Sequence, residues 1–151
     1  MKAAFLPDRG VIKVSGENAR IFLNGLVTTD VALVRPGLGR FGALLTPQGK
    51  IIADFLITEA PAGHGGGFLL DVSRALAQGF ADKLKFYKLR AKVVVENLSD
   101  SMGVLAAWDG EPAMKPDLAF ADPRSSDLGW RVLIPEELKQ MVADLIGADL
   151  V

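Results

Sequence analysis

The sequence contains no cysteine and a single histidine, His64. Without cysteine, these 151 residues cannot form disulfides, a thiolate-bound zinc site, their own iron–sulfur ligands or a cysteine nucleophile. One histidine excludes a metal site made of two or three histidines of one chain, and it leaves little scope for histidine-assisted nucleophilic catalysis. The sequence therefore disfavours hydrolases and metalloenzymes.

An excess of charge of one sign and a long apolar run are also missing. Lys and Arg number 17 against 18 Asp and Glu, so bulk charge favours neither nucleic acid nor an anionic membrane as a partner. The apolar stretch before Pro7 is too short for a signal peptide, and no run approaches the ~18 residues of a membrane span. We therefore predict a cytoplasmic protein with no membrane partner and no direct nucleic-acid partner.

The residues that are present form short apolar segments with strand or helix periodicity. A hairpin is predicted over 39–46 and 51–58, because the turn between them has proline second and glycine fourth. Helices are predicted after Ser15, Ser73 and Pro135. Paired strands with only three helices indicate an α+β fold with mainly antiparallel sheets. Further strands are predicted around 11–14, 68–72, 89–97, 104–108, 119–121 and 130–134.

Asp54 stands out because it interrupts an apolar segment, 51–57. Its neighbours at odd positions are all apolar, and it shares the even face with Ile52 and Leu56, so both faces are predicted to be buried. A carboxylate there must be paired, hydrogen-bonded or neutralised. It is either a structural aspartate or a site carboxylate that binds an amine or a pterin-like ring. Asp71, near the end of the next predicted strand, is interpreted as a strand-end or helix-entry residue.

A basic stretch surrounds Tyr87 and consists of Lys85, Lys88, Arg90 and Lys92. Such a stretch is typical of a solvated helix end followed by a strand face. It also suits an anionic tail such as polyglutamate or a phosphate backbone. One aromatic residue gives only weak support for stacking on RNA bases.

Four segments, in the same order, resemble motifs of one family. They are FLNGLVTTDV (22–31), ALLTPQGKIIADFL (43–56), KFYKLRAKV (85–93), and DPR (122–124) followed by LGWR (128–131). The corresponding motifs are FLNGLVTNDV, L-x-P-Q-G-[KR]-x-x-x-D, K-Y-x-L-R-x-K-V and DPR…LGWR. From about residue 10 onward the chain thus resembles the YgfZ family of folate-binding proteins, which are paralogues of the glycine-cleavage T-protein, an aminomethyltransferase.

This resemblance implies a fold of antiparallel sheets and ferredoxin-like subdomains around a central tetrahydrofolate pocket. It implies a role in assembly or repair of iron–sulfur clusters, with iron–sulfur proteins or their assembly factors as partners and tRNA-modifying enzymes among the clients. The T-protein's GGxxDD strand aligns with residues 49–54, so Asp54 is expected to contact folate, while Ala53 replaces the second acid. Lys50 and Arg90 are expected to assist binding.

Three functions remain open at this stage. The first is a folate-binding iron–sulfur maintenance factor, whether catalytic or not. The second is an aminomethyltransferase that moves a one-carbon unit to tetrahydrofolate with Asp54 as acid and base. The third is a scaffold that binds protein or RNA through residues 85–92.

The family's K-G-C-Y-x-G-Q-E segment does not occur in these 151 residues. We therefore expect residues 1–151 to be the N-terminal part of the folate-binding domain, in a truncated chain, which would explain the absence of cysteine. A subdomain break is expected near 98–117, where residues 109–117 are rich in proline, glycine and charge.

Overall fold

Two five-stranded sheets and three α-helices make up the structure, a computed structural model that describes all residues 1–151. The predicted α+β class is confirmed, since nearly all strand pairs are antiparallel. The strands are β1 (Lys2–Phe5), β2 (Arg9–Ser15), β3 (Arg40–Leu45), β4 (Ile51–Glu59), β5 (Phe68–Ser73), β6 (Val94–Asn97), β7 (Gly103–Trp108), β8 (Ala119–Ala121), β9 (Trp130–Ile134) and β10 (Asp149–Leu150). The helices are α1 (Ala19–Asn24), α2 (Arg74–Lys88) and α3 (Lys139–Ile146).

Sheet 1 has the strand order β3-β4-β5-β2-β6. Without the edge strand β3, its order along the chain is β-α-β-β-α-β, which is the ferredoxin-like arrangement. Helix α2 covers one face, where Phe80 lies against Phe55 with ring centroids 5.8 Å apart. Helix α1 begins later than predicted, because Ser15 is the last residue of β2 and Asn18 precedes the first turn.

Sheet 2 has the order β10-β1-β7-β9-β8, so both ends of the chain contribute to it. Strand β1 pairs with β7 antiparallel and with β10 parallel. Neither β1 nor β10 is predicted from the sequence, since strands of 4 and 2 residues are too short for a period-2 pattern to show. Residues Val142 and Ile146 of α3 join the core of this sheet.

The second face of sheet 1 packs against sheet 2. Leu56 and Leu69 from sheet 1 meet Phe120 and Leu133 from sheet 2 in one apolar cluster. The chain crosses from sheet 2 to sheet 1 between β1 and β2. It returns to sheet 2 after Asn97, the last residue of β6. The subdomain break expected near 98–117 stays a prediction. None of the helices is long and apolar enough to cross a membrane.

Candidate functional site

Arginines and aspartates alternate across the space between the two sheets. Asp71 in β5 accepts hydrogen bonds from Arg9 Nε at 2.7 Å and from Arg131 Nη1 at 2.8 Å. Asp122, which follows β8, accepts from Arg124 Nε at 3.0 Å and from Arg124 Nη2 at 2.7 Å. Arg131 Nε lies 3.7 Å from Asp122 Oδ2 and links the two groups. We call these five residues the arginine–aspartate network.

Both carboxylates of the network are fully buried, with side-chain exposures of 0%. Burial of an ionised carboxylate is costly unless it is paired and hydrogen-bonded, and here each one faces guanidinium groups. No buried side-chain polar atom in the structure lacks a hydrogen-bond partner. Three cations against two anions leave one positive charge, and Arg124, at 36% side-chain exposure, is the most exposed of the arginines. The network therefore presents a cation, Arg124, to solvent.

The network shifts the ionisation of its own members. Burial by itself would raise the pKa of Asp122, but hydrogen bonds from Arg124 and the charges of Arg124 and Arg131 together hold that pKa below its ordinary value. The hydrogen bond to Asp122 raises the pKa of Arg124 against the effect of burial, and the charges of Asp122, Asp71 and Asp54 add to this. Asp54 therefore lies within electrostatic reach of Arg124.

Replacement of Asp122 by asparagine is expected to destabilise the protein in a pH-dependent way. Because the pKa of Asp122 is lower in the folded state, its contribution is present above the unfolded pKa of about 3.9 and is lost as pH falls through the folded pKa. We expect a loss of about 2 kcal/mol at pH 7 that shrinks below about pH 4, as measured by urea unfolding. The exposed Asp127→Asn is the control. An Asp122→Asn deficit of the same size at pH 3 and pH 7 would contradict the assignment.

Asp54 lies on the same face of β4 as Leu56, but nearer the start of the strand. Sheet 2 covers Leu56 and leaves this first part of the strand uncovered. The Asp54 side chain is exposed and forms no hydrogen bond or ion pair. The predicted burial of both faces is wrong, because only the Leu56 end of this face is packed against sheet 2, and Ile51 at the start of the strand is 67% exposed. The carboxylate is therefore not a satisfied structural group, and it is accessible to a ligand.

The structure separates the other two predicted binding residues. Lys50 is exposed in the β3–β4 turn, four residues before Asp54, where its backbone amide donates to Thr46 Oγ1 at 3.1 Å. Arg90 is exposed after α2, at the far end of sheet 1. There the Lys92 carbonyl accepts from the Asn18 amide, beyond the end of β2, so Arg90 is not brought to Asp54.

The basic stretch around Tyr87 is divided between different contacts. Lys88 Nζ donates to the Val93 carbonyl at 2.9 Å, and Lys92 Nζ lies 3.5 Å from Glu17 Oε2. Lys85 and Arg90 are exposed and have no side-chain partner. The stretch therefore does not form one continuous free cationic surface.

Sequence reasoning missed Asp71. It is interpreted above as a strand-end residue, but the structure places it between the two sheets with two arginine partners. The available signal was an acid in the otherwise apolar segment 68–72, the same pattern that drew attention to Asp54. Its partner Arg131 occurs in the LGWR motif, and Asp122 and Arg124 occur in the DPR motif, to which no role was assigned.

Sequence comparisons connect the chain to named proteins, although no protein-family model matches it. It is 34% identical over 155 residues to the iron–sulfur cluster assembly factor IBA57 homolog, mitochondrial, of Mycosarcoma maydis, covering 94% of this chain and 38% of that protein. The homolog of Pyricularia oryzae is 36% identical over 141 residues, with coverages of 89% and 36%. The IBA57 of Mus musculus is 27% identical over 153 residues, with coverages of 87% and 42%. The chain thus spans about two fifths of the length of these relatives.

Structural comparisons agree on the fold. Aminomethyltransferase T of the glycine cleavage system from Bartonella henselae matches with a TM-score of 0.72 at 19% identity, over 99% of this chain and 47% of that one. The heterotetrameric sarcosine oxidase from a Corynebacterium species matches with a TM-score of 0.53 at 14% identity, over 95% of this chain and 80% of that one. At such identities the likeness shows the fold alone.

The relatives correct one prediction and confirm another. The predicted cytoplasmic location is contradicted, because these relatives are named as mitochondrial proteins. That prediction rested on the lack of a signal peptide and of a membrane span, and neither absence selects a compartment. The family resemblance is confirmed: this chain is a relative of the IBA57 homologues of the YgfZ-like family, with the fold of a glycine-cleavage aminomethyltransferase.

Proposed function

We propose that this chain supplies the Asp54 part of a tetrahydrofolate site in an iron–sulfur cluster assembly factor. The observation that carries the proposal is that the Asp54 carboxylate is exposed and has no hydrogen-bond or ion-pair partner within this chain. The names of the relatives, which are iron–sulfur cluster assembly factors, and the aminomethyltransferase fold support it. Its partners would be components of the iron–sulfur assembly machinery in mitochondria, with tRNA-modifying enzymes among the clients.

The chemistry of the two side chains suits a pterin ring. The ring presents an amide N–H and an exocyclic amine side by side, and a carboxylate such as Asp54 accepts both hydrogen bonds. The neighbouring ring carbonyl needs a donor, and Arg124 Nη1 forms no hydrogen bond within the protein. Lys50, on the same hairpin, would add a second cation for the anionic tail of the folate. Arg90 lies at the far end of sheet 1, so its expected part in folate binding has no support from its position.

Folate binding without group transfer is favoured over the aminomethyltransferase alternative. Ala53 offers no carboxylate where the T-protein motif has its second acid, so Asp54 would act alone. The relatives are named as assembly factors and not as transferases. We further propose that residues 1–151 are the N-terminal part of the folate-binding domain, with a subdomain break near 98–117.

Replacement of Asp54 by asparagine is expected to weaken tetrahydrofolate binding by about 10- to 100-fold, since hydrogen bonds to a charged group contribute about 1.5–3 kcal/mol. The measurement is calorimetric titration of the full protein that contains these residues. Asp144→Asn on α3, an exposed acid of the same type, is the matched control and should bind like the wild type.

Three other outcomes would each contradict part of the proposal or its alternative. If the full protein shows no saturable folate binding, both folate functions fail. Unchanged affinity in Asp54→Asn would place the folate site elsewhere. If folate binds but aminomethyl transfer from a lipoyl carrier protein is not catalysed, the transferase alternative alone fails.

A further inference from the structure

A cavity opens between the two sheets, away from Asp54. Its volume is about 480 Å³, within the range of small-molecule pockets. The walls are mostly apolar and include Leu69, Met102 and Leu133, and one cation, Lys13, lies among them. Asp117 and His64 also line the cavity, and Lys13 is its one lysine or arginine. An apolar chamber with few polar groups is typical of sites that bind a small amphipathic molecule.

The cavity is separate from the Asp54 end of the sheets. Asp54 lies in line with Arg9, because Phe55 pairs with Val72 and Arg9 pairs with Ser73. Lys13 lies four residues farther along β2, roughly 13 Å from Arg9 along the strand. Val11 lies between Arg9 and Lys13 along β2, and it pairs with Asp71 of β5. The contacts of Asp71 with Arg9 and Arg131 therefore lie between the Asp54 end of the sheets and the cavity.

Lys13 has an ammonium group without a partner. Its side chain is half-buried on the same face as Val11, and it forms no hydrogen bond and no ion pair within 4.0 Å. The Gly65 loop lies against it, since a Cβ added to Gly65 would be 3.3 Å from Lys13 Nζ. A partly desolvated cation that no protein group neutralises favours an anion from outside the chain.

The acidic groups around Lys13 do not neutralise it. Asp117, which also lines the cavity, is paired with His64, whose Nε2 lies 3.2 Å from Asp117 Oδ2. Glu96 is the cross-strand neighbour of Lys13 on the same face, but it is exposed and beyond ion-pair distance. Glu96 is therefore the acid that faces Lys13 across the β2–β6 pair.

We propose that this cavity binds a small monocarboxylate with an apolar body, such as a medium-chain acid. The carboxylate pairs with Lys13 Nζ, and the apolar body lies against Leu69, Met102 and Leu133. A single available cation matches a single negative charge, whereas a phosphate or a dicarboxylate would place a second charge against apolar walls. The inference does not depend on folate binding, because it involves neither Asp54 nor the arginine–aspartate network.

Titration of the full protein with decanoate, below its micellar concentration, tests the proposal. We expect saturable binding to one site. Lys13→Met, which keeps the aliphatic length, is expected to bind about tenfold more weakly, as is decanol with the wild-type protein. Glu96→Gln should bind decanoate about two- to threefold more tightly, because it removes the competing carboxylate. Lys83→Met on the exposed surface of α2 is the control and should behave like the wild type.

Further measurements separate this site from the folate site. Asp54→Asn should leave decanoate affinity unchanged, and tetrahydrofolate should not displace decanoate. The proposal is overturned if decanoate does not saturate, if decanol binds as tightly, or if Lys13→Met has no effect. Displacement of decanoate by tetrahydrofolate would also overturn it, since the cavity would then belong to the folate site, and so would a polypeptide segment that fills the cavity in the full protein.

Discussion

Replacement of Gly129 by alanine is expected to lower the free energy of unfolding by about 3 kcal/mol or more. Gly129 has φ = 74°, a left-handed conformation that a residue with a Cβ rarely adopts. A Cβ there would also run into the carbonyl oxygen of Ala107 in β7. Since that atom belongs to the backbone of a central strand, no side chain can move aside, and β7 or β9 must shift.

Gly63→Ala is the matched control for this prediction. Its φ is negative or extended and nothing lies within 4 Å of an added Cβ, so its stability should stay within about 0.5 kcal/mol of the wild type. Both variants are compared by urea unfolding at pH 7. The Gly129 carbonyl accepts from the Asp122 amide at 2.8 Å, so Gly129→Ala should also disturb the arginine–aspartate network. Equal stability of the two variants would show that sheet 2 accommodates the added atom.

Replacement of Asp71 by asparagine is the second prediction with a large effect, a loss of about 3 kcal/mol in the free energy of unfolding. The shape of the side chain is kept, but Arg9 and Arg131 then face a neutral amide whose NH₂ group cannot accept a hydrogen bond. The two arginine side chains are 22% and 13% exposed, so solvent screens part of the charge and the value lies at the low end of that for buried pairs.

The exposed pair of Arg74 and Asp100 provides the control. Its nitrogen–oxygen distance of 3.0 Å is similar, but both side chains are open to solvent, so Asp100→Asn should cost less than about 1 kcal/mol. Unfolding of the two variants at low and high salt distinguishes them further, because salt screens the exposed pair more strongly. A similar small loss in both variants would mean that the network does not join the two sheets energetically.

The extent to which the fold follows from the sequence depends on how local each signal is. The β3–β4 hairpin is specified by its own turn and alternation, and its strands form within one residue of their predicted ends. Strands β1 and β10 carry no comparable pattern, and they become strands only because β7 pairs with β1 and β1 in turn pairs with β10. Such distant pairing is a tertiary effect that local periodicity does not record.

At the candidate site, too, local sequence patterns predict some features, and tertiary packing decides the others. Asp54 stood out because it is a carboxylate in an apolar strand, and that observation holds, but its burial does not follow from the pattern. Alternation tells which face a residue occupies, whereas it does not tell how far the second sheet extends over that face. The pairing of Asp71 with Arg131 joins residues 60 positions apart, and the sequence gives no sign of it.

Sheet 2 combines strands that are far apart along the chain, and this affects the order in which strands can pair during synthesis. Residues 9–97 contain every strand of sheet 1 together with α1 and α2, so all the pairing partners within sheet 1 have been synthesised by residue 97. Strand β1 has no partner until β7 follows, roughly one hundred residues later, which takes several seconds at typical rates of synthesis. During that interval its apolar edge is free to pair wrongly or to be held by a chaperone. The strand that is enclosed on both sides in the finished protein is thus the one that waits longest for its neighbours.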